Sequence, residues 1–205
     1  MNILTQKFPE SVTVDGIEVS INADFRAGLR IMLAMEDNGL TGLEKQRILF
    51  DNLFLEIPAQ FAASPEGLLA LAEKANWFLN CGEENKDEGG QRLMSFKKDA
   101  GLIYAAFSQT HGIDLQTAEM HWWKFVALLM DLGQDTSFCQ LVGLRKRYSK
   151  GKLNKYELEA VREMGDMFQI EQMDDRTLEE REASAEFDRQ VAEAKERRDK
   201  EKVKQ

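Results

Sequence analysis

Residues Phe96 to Arg147 read FKKDAGLIYAAFSQTHGIDLQTAEMHWWKFVALLMDLGQDTSFCQLVGLRKR, and this stretch decides the fold. Two Trp, one Tyr and four Phe fall within about a quarter of the chain. Side chains this large and apolar must build a core or meet a partner. Their spacing is helical. Ser95 can cap a helix that carries Phe96, Ala100, Ile103 and Phe107 on one stripe and closes at His111-Gly112. From Thr117 to Leu132 the apolar residues run almost all the way round, so this helix is either the centre of the core or covered by another chain. Adjacent residues on a helix point about 100° apart, which sends Trp122 and Trp123 to different surfaces. A further helix is expected from about Thr136 to Tyr148.

Working outward, Val12 and Val14 lead into Asp15-Gly16, and Ile17, Val19 and Ile21 follow with the alternation of a β-hairpin. Asp-Gly supplies the positive φ angles of a two-residue primed turn. A lone hairpin is marginal in water, so its apolar face should lie on the helices that follow. Asp24 can cap a helix carrying Phe25, Leu29, Met32 and Leu33 and ending near Asn38-Gly39. Thr41 to Leu55 is the next, stopped by Pro58. Ser64-Pro65-Glu66 opens another, with Leu68, Leu71, Ala75, Phe78 and Leu79, which ends at Cys81-Gly82. The polar run from Glu83 to Gly90 is the clearest internal loop. The predicted class is mainly α: an N-terminal β-hairpin packed on a compact multi-helix body.

That body spans residues 1–148, and Ser149-Lys150-Gly151-Lys152 is its hinge to a charged extension, 149–205. Leu153 to Ile170 keeps a weak amphipathic pattern through Leu158, Val161, Met164 and Phe168. Beyond Asp174 large apolar residues are sparse, with Leu178, Phe187, Val191 and Val203, and charges of both signs interleave. Such a segment is an exposed helix or a disordered tail that orders on a partner. A globular body joined to a polar arm also accounts for 31% charged residues beside 43% hydrophobic in 205. The net charge of -9 argues against general affinity for nucleic acid or anionic lipid. Cys81 and Cys139 belong to no CxxC pair and read as buried free thiols. Neither a signal-peptide pattern nor a run of 18 apolar residues is present, which predicts a cytosolic protein.

No catalytic arrangement emerges. His111 and His121 stand on different elements without metal-ligand spacing, and structural roles are expected for both. Ser108 lies in an alanine-rich helical turn, not a strained elbow. Phosphate loops are missing. The expectation is a protein that is not an enzyme, with no catalytic, cofactor-binding or metal residues and no cofactor. The basic cluster Arg145-Lys146-Arg147, with Lys150, Lys152 and Lys155 and the interleaved Tyr148 and Tyr156, offers a nucleic-acid alternative. A solvated helix end, or a contact to the protein's own acidic residues, explains it as well. The candidate protein-interaction residues are Trp122, Trp123, Phe125, Leu129, Phe168 and Phe187.

Phe96-x-Lys98-Asp99, Ile103-Tyr104-Ala105-Ala106-Phe107-x-Gln109, Gly112-Ile113-Asp114-Leu115, His121-Trp122-Trp123-Lys124-Phe125, Ala127-Leu128-Leu129 and Asp135-Thr136 with Phe138, Gly143 and Arg145 together resemble the bacteriophage gp-fifteen family. This family is encoded in the tail-morphogenesis modules of long-tailed phages and prophages of Gram-positive bacteria. The likeness covers about residues 10 to 147, and the charged extension lies outside it. It implies a tail assembly chaperone of the host cytoplasm. Such a protein binds the tape-measure protein, helps tail tube subunits assemble around it, and is absent from the mature virion. The partners implied are the tape-measure protein and the tail tube protein; self-association is expected because a long client needs many copies, while the net charge argues against a membrane or nucleic-acid partner. A permanent structural tail or head–tail joining component is the alternative.

Overall fold

The computed structural model describes residues 2–83 and 91–172. The expected class holds: a two-stranded hairpin followed by helices. Strands β1 (Ser11–Val14) and β2 (Ile17–Ser20) pair antiparallel, Val12 opposite Val19 and Val14 opposite Ile17. The turn takes Asp15 at φ 48° and Gly16 at φ 80°, as a primed turn requires. Val12, Val14 and Val19 are buried against the helices.

Helix α1 (Phe25–Glu36) is capped by the Asp24 carboxylate, which accepts from Arg26 N. Helix α2 (Gly42–Leu53) begins with a reciprocal capping box between Thr41 and Glu44. A single turn that the sequence pattern does not mark, α3 (Ala59–Ala62), follows Pro58. Helix α4 (Pro65–Leu79) starts at the Ser64 cap and ends where Cys81 and Gly82 adopt φ 56° and 84°. Helices α5 (Ala100–His111), α6 (Trp122–Met130), α7 (Ser137–Ser149) and α8 (Lys155–Met164) complete the order, and a 3-10 turn (Gly165–Met167) follows α8.

Two helix starts differ from the sequence reading. Ser95 does cap a turn, accepting from Lys98 N, but α5 itself begins five residues later at Ala100. The intervening residues are held by tertiary contacts: Ser95 Oγ donates to Glu36, whose other carboxylate oxygen takes Phe96 N. The helix predicted from Thr117 begins at Trp122 because the backbone before it is already committed. Phe25 N donates to Met120 O and Trp122 N to Ala23 O, so residues 120–122 bridge the strand-like entry to α1. That long-range pairing outcompetes helix propensity.

Phe125 lies at the centre of the core with no exposure, stacked against Phe25 at 5.2 Å, Phe107 at 5.1 Å and Trp122 at 5.6 Å. Helix α6 is therefore the central element, packed on α1 and α5. A second, smaller cluster of Leu141, Leu144 and Phe168 joins α7 to the segment after α8. Residues 84–90, where the sequence predicts a loop, and the extension from 173 onward, Phe187 included, lie outside the described residues.

Candidate functional site

Both tryptophans point into protein. Trp122 and Trp123 straddle the C-terminal end of α4, their indole N–H groups donating to Leu79 O at 3.0 Å and Phe78 O at 2.8 Å. These carbonyls belong to the last turn of α4, where the regular ladder of helical hydrogen bonds runs out. Trp122 leans on Gly28 of α1, where only the lack of a Cβ leaves room for the ring. Trp123 packs edge-on to Trp77 and beside Phe8, with Gly82 against its far edge. The divergence of the two rings is used to grip one helix end from two sides, so both belong to the core. Phe125 and Phe168 are also buried, and Leu129 is half-buried. Phe168 stands apart from the other three aromatic residues, in the second cluster.

His121 caps α6. Its Nδ1 accepts from Trp123 N and its Nε2 donates to Pro9 O at 2.9 Å, which fixes the neutral imidazole with the proton on Nε2. Burial holds its pKa below the usual histidine value, outweighing the opposing pull of Pro9 O and Glu10. His111 Nε2 meets Leu128 O at 2.9 Å and ties the end of α5 to α6. Cys81 and Cys139 are free thiols, half-buried; burial, with Glu83 nearby, pushes Cys81 up to about 11.

The best-built polar site centres on Arg145, 4% exposed, which the sequence offered as part of a basic patch. Its guanidinium makes five hydrogen bonds. Two go to the buried Asp99 carboxylate, at 2.7 and 3.0 Å, and one to Leu93 O. The remaining two reach Phe168 O at 2.8 Å and Met167 O at 3.0 Å. Arginine's planar fork suits this bidentate pairing, and all of its N–H groups are used. Arg147 is likewise engaged, with Glu157 at 2.8 Å, while Lys146, Lys150, Lys152 and Lys155 stand in solvent.

Around Arg145 the body holds the chain after the hinge by its main chain. Lys98 Nζ donates to Asp166 O and Gln169 O, Arg92 to Glu171 O, and Asn38 to Gln172 O. These are the carbonyls at and beyond the end of a helix, where cations are favoured. Beside them lies a cleft of about 410 Å³, lined by Arg92, Arg145, Tyr148, Val161, Phe168 and Gln172 among others. The arrangement can seat the end of an amphipathic helix, with one aromatic ring as anchor. Among the described residues no group of His, Cys, Asp and Glu is placed to hold a metal ion.

Sequence reasoning missed the partnership of Asp99 with Arg145, and the roles of Lys98, Arg92 and Asn38. Asp99 and Arg145 are 46 residues apart, so no local spacing marks them. The family model described as Bacteriophage Gp15 protein matches residues 4–170, which takes in the hairpin, all of the helices above and the segment that Arg145 holds. No curated protein and no solved structure matches the chain.

Proposed function

The chain belongs to the bacteriophage Gp15 family, and so is a phage structural or morphogenesis protein; from that premise we propose that it is a tail assembly chaperone. In this reading it works by binding and not by catalysis, in the host cytoplasm. It coats the tape-measure protein while tail tube subunits gather round it, and several copies associate along that client. The cradle around Arg145 is the observation that carries the reading. It holds the chain that follows α8 by backbone carbonyls and a single ring, a mode of binding that makes little demand on the sequence held. A long helical client presents many unlike segments, and apolar contact on the outside of the body needs no particular sequence in them. Large apolar side chains on the outside of the body, such as Met130 at 82% exposed and Leu43 at 77%, add surface for apolar contact, with charges around them for solubility.

Co-expression with a tape-measure fragment tests the proposal. The fragment should stay soluble and co-purify with the chain; its continued precipitation would count against chaperone activity. Mass spectrometry of purified virions then separates the transient chaperone, which should be missing, from a permanent tail or joining component.

A further inference from the structure

We propose that the arm formed by residues 153–172 exchanges between copies of this chain, so that the cradle of one copy holds the arm of the next. Three observations support it. First, the grip is portable. Six hydrogen bonds run from body side chains to arm carbonyls: Lys98 to Asp166 and Gln169, Arg145 to Met167 and Phe168, Arg92 to Glu171, and Asn38 to Gln172. The donors stand on the body and the acceptors are main chain, so an identical arm from a second copy meets every one of them.

Second, the arm's apolar anchor lies outside the main core. Phe168 joins the small cluster with Leu141 and Leu144, whereas the principal core draws its residues from the hairpin and α1 to α7. Every residue of α8 keeps at least partial exposure, so the helix leans on the body without being enclosed by it. Third, the connection is a reversal that a change in few backbone angles would open. Gly151 sits at φ 63°, and the turn is closed by Gly151 N to Tyr148 O and Lys152 N to Arg147 O. Across the turn, Arg147 pairs with Glu157 at the surface, an interaction of small strength.

Opening that turn carries the arm away from its own cradle and toward a neighbour. Every hydrogen bond the arm gives up at its own cradle is remade at the neighbour's, so the cost is confined to the hinge and protein concentration sets the balance. Each copy then gives one arm and receives one. Such donation closes on a pair where two copies exchange arms reciprocally, and propagates head to tail where the opened turn carries the arm to a third copy. This gives the self-association in the proposed function a physical route, and rests on that reading only for its use along a long client.

The test uses the full chain. Equal amounts of unlabelled and ¹⁵N-labelled protein are mixed, held at high concentration, and treated with a reagent that couples amines directly to carboxylates. Lys98 should couple to arm carboxylates such as Asp166 or Glu171, and mass spectrometry reads which copy each peptide came from. Mixed-isotope pairs should climb toward about half of the total, the statistical value for complete exchange. In the Phe168→Ala variant they should fall several-fold while circular dichroism of the body is kept. Abundant same-isotope pairs without mixed ones would overturn exchange. Loss of all Lys98–arm pairs would overturn the docked arm, and exchange with it. Mixed pairs in a protein that fails to keep the tape-measure fragment soluble would sink the chaperone reading and leave exchange standing.

Discussion

An imidazole that must accept at one nitrogen cannot also be charged, and His121 is in that position. Nδ1 takes the N–H of Trp123 and Nε2 gives its proton to Pro9 O, while Phe8 stacks on the ring at 4.8 Å. Protonation removes the cap of α6 and places a cation among aromatic rings. With the folded pKa held below the ordinary 6.5, the unfolded chain binds the proton more readily. The stabilisation is complete above about pH 6.5 and is lost as pH falls through the lower folded value. Glu44, Asp114 and Glu157 are also lowered, but from ordinary values of 4.5, 3.8 and 4.5, so they act in a more acidic range. The urea midpoint should therefore decline between about pH 7 and pH 5. His121→Asn, whose side-chain oxygen can still accept from Trp123 N, should flatten that decline. An unchanged slope in the variant would show that another group is responsible.

Elements were legible wherever their signals are local. Asp24 and Ser64 cap the helices that the sequence assigned to them, and Thr41 and Thr136, read only as helix starts, prove to be caps as well, because capping is decided within about three residues. The hairpin was legible for the same reason. The start of α6 was not, since residues 120–122 pair with Ala23 and Phe25 across about a hundred positions of sequence. Of the candidate interaction residues, spacing identified the aromatic ones as important but could not show that both indoles close on the end of α4. The packing of α1 against α6 depends on another residue that spacing leaves silent. A Cβ at Gly28 would fall on the six-membered ring of Trp122, inside contact distance. Gly28→Ala should lower stability by about 1–3 kcal/mol through overpacking, partly offset by roughly 1 kcal/mol of helix propensity. Gly101→Ala, at a helical site in α5 with nothing near, should gain up to about 1 kcal/mol. Denaturant midpoints of the two variants moving the same way would refute this account of the contact.

At the scale of the whole molecule the question is what joins the two hydrophobic clusters, and Arg145 is placed to do it. It rises from α7, pairs with Asp99 at the entrance to α5, and reaches across to Met167 and Phe168. Asp99 is 2% exposed and also takes Ser95 N, while Ser95 Oγ is tied to Glu36 at the end of α1. One guanidinium thus couples α1, α5, α7 and the arm. The sequence displayed its charge but not its burial, so Arg145 read as surface. Removing it would leave a buried carboxylate without its cation, an effect of about 3–5 kcal/mol. Arg145→Met, which keeps much of the side-chain volume, should lower the urea midpoint accordingly and expose the hinge. Trypsin should then cut near Lys150, Lys152 and Lys155 at protein concentrations where the parent chain resists. Adding Asp99→Asn should recover part of the stability, because a neutral amide is less costly to bury than an unpaired charge. The arm should remain cleavable in the double variant, since the guanidinium that donates to its carbonyls is still missing. If the arm stayed protected without Arg145, the apolar contacts of Phe168 with Leu141 and Leu144 would have to hold it alone.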